Sequence, residues 1–486
     1  ATPLGLLIMH PDEFGPKRAA LTCDPETGLA ATMVTVQVGG SEHRIEAADL
    51  QASWCEHGGV PAVRVAWRAG PVTAVEQFFC PDEQPRVARR IEISANAGTA
   101  GGVELHVGMA TPEAHTVRLD ADGHGEASLV HEVEHTAAGP VVVTRWEPDV
   151  LPDPETRRYW DGLAKCRMLH DGLDRLYSAA RVQLPTAVDH RGRMDGSIWQ
   201  YNLEWVRDQA HVSEAFVRLG EREKARTMLA RLLDRFFSPD GDTVDSGRLR
   251  PAADVELDQN GELLTALATY VDWTGDLELV ASRWDRVRAL ASFPFLDPFL
   301  HSASGLLHNR REYWERHGEF GIEDGFELMS QFFVALGLEQ VAGLADLLGH
   351  DEDGQRWRRK AAGLRHAMLE DARYRLVENG HFIKRRGTDG VWQRQIHMVS
   401  RGSLPDEIPM LRDGPHLLDP DASSALPIAH QFIDPRDPLA TNTLAHVEEL
   451  WNQGWDTGGY ARYNITSEAD SPGAWPFASL FIARAY

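Results

Sequence analysis

Four cysteines in 486 residues are too few for a disulfide framework, and Cys23, Cys55, Cys80 and Cys166 stand far apart with no C-x-x-C pair. Positive charge is also short. Lys and Arg number 49 against 73 Asp and Glu, a net charge of −24, and no basic block occurs. That balance argues against a nucleic-acid backbone or an anionic membrane surface as partner. No apolar run approaches the roughly 20 residues that span a bilayer. The first residues, ATPLGLLIMHPDEF, lack the charged start and long apolar stretch of a signal peptide, although a chain without an initiating Met leaves a removed segment open. No fixed period repeats, so a regular solenoid is not expected. These absences predict a soluble, cytoplasmic protein that takes a neutral or cationic ligand.

Tryptophan, by contrast, is abundant: 14 residues, each of which needs a packing or binding reason. The chain also changes character once. Up to residue 148 the apolar residues alternate or come in short β-rich runs, as in ATMVTVQVGG, PAVRVAWRAG, TAVEQFFC, VELHVGMA and PVVVTRW. Gly, Pro and Asp punctuate them, which predicts an antiparallel β-sandwich over 1–148. Residues 149–160, within WEPDVLPDPETRRYW, read as a linker, with a helix starting near Glu155. From 161 to 486 the apolar residues take helical spacing. Examples are Val212, Phe216, Leu219; Leu263, Leu264, Leu267, Tyr270, Val271; and Phe326, Met329, Phe332, Phe333, Leu336. Helices paired across short Gly or Asp turns predict a closed ring of hairpins, an (α/α)6 barrel, with a pocket at one end.

The stretch SIWQYNLEWVRDQAHV, residues 197–212, then takes a place at the mouth of that ring. Tyr201 and Trp205 offer flat apolar faces, and Arg207 and Asp208 offer polar groups. Sugars present apolar C–H faces and hydroxyls, which rings and bidentate Asp or Arg bonds match. The plainer reading, packing rings and a helix-start charge pair, weighs about the same on this stretch alone. In REYWERHGEFGIEDGFELMSQFF, Glu315 follows Trp314. A carboxyl against an indole has a raised pKa and suits a general acid, while an ordinary surface Glu is the plainer alternative. Near the C-terminus, GWDTGGYARYNITSEADSPGAWPF carries Glu468, Asp470 and Trp475, and either carboxylate is a candidate base for activating water. An inverting glycosidase holds its two carboxyls about 6.5–9.5 Å apart.

These stretches resemble a known family. YNLEWVRDQAHVSEAFVRLGEREKA is similar to the first signature of the glucoamylase-like glycoside hydrolases, family 15. ELDQNGELLTALATYVDWTGDLELV resembles that family's second helical hairpin, YWERHG its Trp-Glu acid motif, and GGYARYN…E…GAWPF its base-bearing segment. The resemblance covers the whole chain in architecture and about 160–486 in motifs. It implies an inverting, exo-acting hydrolase that releases a terminal sugar, by default glucose, from an α-linked disaccharide or oligosaccharide. Arg207 and Asp208 bind the terminal sugar's hydroxyls with Trp205 close by, and Tyr201, Trp314 and Trp475 are further contacts. Glu315 is the acid and Glu468 the base, with Asp470 as the alternative base and Glu323 or Asp324 as alternative acid or binding groups. No metal or cofactor is implied, and the partner is a small sugar rather than nucleic acid or membrane.

Other readings stay in view. A phosphorylase of the same architecture needs a phosphate pocket, for which SRGS at 400–403 is a faint candidate. A non-catalytic sugar-binding protein keeps the rings without the chemistry. HEVEH, residues 131–135, matches a zinc signature, but in a strand its two histidines stand about 13 Å apart, too far for one ion. NIT at 464–466 matches a glycosylation acceptor and reads as incidental. His211, one turn beyond Asp208, is either a pocket hydrogen-bonder or a satisfied structural histidine.

Overall fold

The computed structural model describes residues 32–45, 50–84, 86–95, 102–108, 113–137, 139–163, 165, 168–194, 196, 204–243, 255–314, 316, 318, 321–398, 414–452, 458–463 and 474–486. The chain divides into two compact units. One holds Ala1–Asp189 and Asp195–Leu203, the other His190–Met194 and Glu204–Tyr486.

The first unit is built on two antiparallel sheets. Strands β1 (Val34–Val38), β2 (Ser41–His43), β7 (Val103–Val107) and β8 (Glu113–Val117) form one, in the order β2-β1-β7-β8. Strands β3 (Gln51–His57), β4 (Val60–Ala69), β5 (Val72–Phe79), β6 (Arg86–Ala95), β9 (His124–Thr136) and β10 (Gly139–Trp146) form the other, in the order β10-β9-β6-β5-β4-β3. The period-2 pattern sends alternate residues of each strand to one face. Val34, Val36, Val103 and Leu105 thus meet Trp67, Ile91, Ile93 and Leu129 from the larger sheet in one apolar core. Gly58 and Gly59, both at positive φ, make the two-residue turn between β3 and β4 that such a hairpin requires. The HEVEH stretch lies within β9, where His131 is buried and paired with Thr144 across the ladder. Helices α1 (Pro154–Leu163) and α2 (Asp171–Thr186) follow the strands. By their contacts they group with the strands rather than with the helices beyond 190.

The second unit is helical. Helix α3 (Val206–Leu219) turns at Gly220 into α4 (Arg222–Arg235). Helix α5 (Asp258–Thr274) ends at Gly275 and is followed by α6 (Trp284–Ser292). Helix α7 (Leu328–Leu347) turns at Gly349 into α8 (Asp351–Glu370). Helices α9 (Pro438–Val447) and α10 (Pro476–Ala485) complete the described long helices. Helix α5 lies beside both α3 and α7, and α4, α6 and α8 back that layer.

The buried surface of α7 is wider than the stripe expected at Met329, Phe332, Phe333 and Leu336. Ser330, Gln331, Val334, Ala335 and Gly337 are buried too, because α5 and α8 cover it from two sides. Contrary to the expectation that no apolar run approaches membrane-spanning length, this helix is long and apolar enough to cross a membrane, and 83% of its apolar window is buried, as in a core helix. Gly261 of α5 explains how closely α5 and α7 approach. A Cβ there would lie 2.1 Å from the Phe333 carbonyl group, and one at Gly337 would lie 2.4 Å from the Gly261 oxygen.

Candidate active site

Helix α3 begins with no side-chain cap. Trp205 occupies the N-cap position, is buried, and its Nε1 has no hydrogen-bond partner among the described residues. Asp208, half-buried, sits in the first turn, where a carboxylate complements the helix dipole. Arg207 points to the start of α5. Its Nη1 donates to Glu256 at 3.1 Å and to Asp258 at 3.0 Å. Glu256 also accepts from Arg311 and from Gln259. Burial opposes the Arg207 charge, but Glu256, Asp258, Glu262 and Asp208 outweigh it and hold the guanidinium protonated. Burial raises the Asp208 pKa against the pull of Arg207, and burial raises that of Asp258 further.

The guanidinium of Arg207 lies over the Tyr313 ring, 5.0 Å from its centroid. Tyr313 belongs to the segment 309–314, which is tied down at several points. Asn309 bridges Gly325 and donates to the Val255 carbonyl at 2.7 Å. Arg385 donates to the carbonyls of Asn309, Arg311 and Glu323. The short antiparallel pair Gly325–Glu327 with Arg385–Gly387 fixes where Arg385 and its neighbour Lys384 enter.

Lys384 has no accessible side-chain surface. Its Nζ lies 3.3 Å from Glu312, 3.2 Å from Glu327 and 3.4 Å from Asp421, and it donates to Ser423 at 3.2 Å. Burial alone would neutralise the amine, but the carboxylates of Asp421, Glu327 and Glu312 push its pKa above the ordinary lysine value. Each carboxylate has a second task. Glu327 caps α7 through the Ser330 amide at 2.9 Å. Glu312 accepts from the Arg316 amide and guanidinium at 2.9 and 3.1 Å. Asp421 accepts from Trp314 Nε1, at 3.0 and 2.8 Å to its two oxygens.

Trp314 is half-buried and leans on Phe477 at 5.4 Å. Arg462 lies 5.6 Å from the Trp314 ring and 4.2 Å from that of Trp475, which itself meets Phe477 edge-on. Of the residues singled out in the sequence, Arg207, Trp314 and Trp475 thus join one network through Tyr313, Phe477 and Arg462, and Asp208 stands beside Arg207. Trp205 makes no ring or cation–π contact among the described residues. Tyr201, Glu315, Glu468 and Asp470 lie outside the described residues, as does SRGS, although both neighbours of Glu315 in the chain are held. Glu323 is exposed, and Asp324 is bound to His308 at 2.9 Å. Burial raises the Asp324 pKa, but the His308 bond and charge outweigh it, so Asp324 is held ionised and is a poor proton donor.

Sequence reasoning missed Glu256, Asp258, Tyr313, Lys384, Asp421 and Arg462. Two acids at the start of α5, ahead of its apolar stripe, are the available signal for the partners of Arg207. Nothing local marks Lys384, whose partners stand at 312, 327 and 421.

No protein-family profile matches the chain. Trehalase 1 of Sulfolobus acidocaldarius is 22% identical over 338 residues, covering 64% of this chain and 49% of that protein. The chain therefore spans about half the length of the curated relative it matches. A crystal structure of a bacterial glucoamylase complexed with acarbose is similar over 94% of this chain and 83% of its own, with a TM-score of 0.57 and 13% identity. That likeness extends over both units and establishes a glucoamylase-like layout of β and α elements. A glycosidase variant in complex with glucose covers 65% of this chain and 80% of its own, with 18% identity and a TM-score of 0.46.

Proposed function

We propose that the protein is an inverting glycoside hydrolase that releases glucose from an α-linked disaccharide or short oligosaccharide, and that its second unit is an (α/α)6 barrel. The observation that carries the reading is the continuous contact from Arg207 through Tyr313 to Trp314 and Asp421. It joins a cation–carboxylate pair suited to sugar hydroxyls to the indole that directly precedes Glu315. The glucoamylase-like layout and the trehalase relative support the same reading. The relative's name makes α,α-trehalose the first substrate to try.

In this mechanism Glu315 gives its proton to the glycosidic oxygen as the bond to the anomeric carbon breaks. A water attacks that carbon from the opposite face and gives a proton to Glu468. The test is a proton NMR time course on trehalose, maltose, isomaltose and maltotriose, with and without phosphate. For trehalose the expected result is one β-glucose and one α-glucose per turnover before mutarotation, with no need of phosphate. Turnover only with phosphate assigns a phosphorylase instead. Two α-glucose molecules from each trehalose exclude inversion. Glu315→Gln and Glu468→Gln are each expected to lower kcat by at least about 10²-fold. Near-wild-type turnover in either variant removes that residue from its role.

A further inference from the structure

Helices α3 and α5 face each other through two rungs, each joining a basic side chain to a carboxylate. The first is Arg207 to Asp258 at 3.0 Å. The second is His211 Nε2 to Glu262 Oε1 at 3.3 Å. Both partners advance by four residues, one turn, so the two helices run parallel here and the second rung lies one turn beyond the helix starts. On α3, His211 is three residues past Asp208 and four past Arg207, between them on the helix surface.

The two ends of the second rung differ in surroundings. Glu262 has no accessible surface, and its Oε2 has no partner among the described residues. His211 keeps 33% of its side chain accessible, with its ring edge against Phe333 at 6.0 Å. With Nε2 turned to the carboxylate, Nδ1 is left, and it too has no partner among the described residues. A buried carboxylate–imidazole rung is a costly way to hold two helices together, since an apolar pair of similar volume serves as well or better. Its other consequence is to fix the orientation of a partly accessible ring one turn along α3 from Asp208.

We infer that His211, oriented by Glu262, contacts a hydroxyl of the bound sugar and so takes part in choosing which glycoside is accepted. The inference rests on the hydrolase reading above. A hydroxyl both donates and accepts, so it pairs with Nδ1 whether the ring is neutral or charged. A site built to bond a hydroxyl discriminates strongly against the analogue that lacks it, because its own polar group is then left unpaired. Glu262 acts through the ring and is a positioning residue.

The experiment takes the glycoside that the wild-type protein hydrolyses fastest, with the series of its monodeoxy analogues, and measures kcat/KM for wild type, His211→Phe, His211→Asn and Glu262→Gln. His211→Phe is expected to lose roughly 10- to 100-fold on the parent sugar. That deficit should shrink to near unity on the one analogue lacking the contacted hydroxyl. His211→Asn, which keeps a donor and an acceptor, should recover part of the loss. Glu262→Gln should show a smaller deficit with the same analogue dependence. If His211→Phe does not fold, these two variants carry the test by that pattern. An equal deficit on every analogue, or none on the parent, overturns the inference and leaves the rung as a helix–helix contact while the hydrolase reading stands. A wild-type protein that cleaves no glycoside brings down the hydrolase reading, and this contact with it.

Discussion

Lys384 faces Glu312, Glu327 and Asp421 within 3.4 Å and has no accessible surface, so its charge is the local counterweight to three buried carboxylates. Arg316 shares Glu312, but among the described residues no other ion pair reaches Glu327 or Asp421. Replacing the lysine with an apolar residue of similar length would leave those carboxylates facing one another out of water. Removing one partner of a buried pair typically costs about 3–5 kcal/mol. Lys384→Met is therefore expected to lose stability on that scale in urea unfolding at pH 7. Adding Asp421→Asn should recover part of it, because one of the stranded charges is then gone. A single variant as stable as wild type would show that the carboxylates simply take up protons. This cluster is not legible in the sequence because its members, at 312, 327, 384 and 421, stand far apart in the chain. Arg207, Asp208 and Trp314 were legible because each sits in a short stretch of unusual composition.

At the scale of elements, two glycines separate two causes of instability. Gly261 is helical and its cost is space, with Phe333 and Val334 backbone atoms 2.1–2.4 Å from an added Cβ. Gly275 has open space around it, and its cost is conformation alone, at φ 71° after the end of α5. Gly275→Ala is expected to cost about 1 kcal/mol, the penalty of a left-handed backbone. Gly261→Ala has to push α5 from α7 and should cost about 3 kcal/mol or more, at the upper end for overpacking. Urea midpoints of the two variants check the order, and a reversed order would mean that α7 shifts at little cost. The helices themselves were readable where apolar residues repeat every three or four positions. The start of α5 was not. Asp258, Gln259, Asn260 and Glu262 are buried but polar, so the stripe begins at Leu263, five residues after the helix does. Buried polar residues break the pattern that marks a core, and here they break it where the candidate site is built.

Across the whole molecule the two units are expected to respond differently to acid. In the first unit His131 is buried, and burial, aided by Arg89, pushes its pKa down to about 3 from 6.5. A histidine with a lowered folded pKa contributes stability above pH 6.5 and loses it as pH falls toward 3, because only the unfolded chain takes up the proton. The shifted carboxylates of that unit, Asp120, Glu126 and Asp153, are all lowered, so they contribute nothing favourable on acidification. In the second unit His430 is likewise pushed to about 3 by burial, and His301 and His446 are lowered. There, however, burial raises Asp208, Asp258, Glu327 and Asp419, the last to about 6, and Glu262 raises His211 against burial. Raised groups contribute stability that is fully present at low pH and lost as pH rises through the folded value, so they offset the three histidines, while this unit's own lowered carboxylates, Asp276, Glu312, Asp324, Asp346 and Asp353, cost stability mainly below about pH 4. Between about pH 6.5 and 4 the first unit should therefore weaken more than the second. Hydrogen exchange read by mass spectrometry at pH values across that window, corrected for the intrinsic rate, checks this. Peptides from β6 and β9 should lose protection before those from α5 and α7. His131→Gln should remove most of the difference, since glutamine keeps a polar contact to Thr144 and takes up no proton. Equal loss in both units, or an unchanged profile in that variant, would remove His131 as the cause.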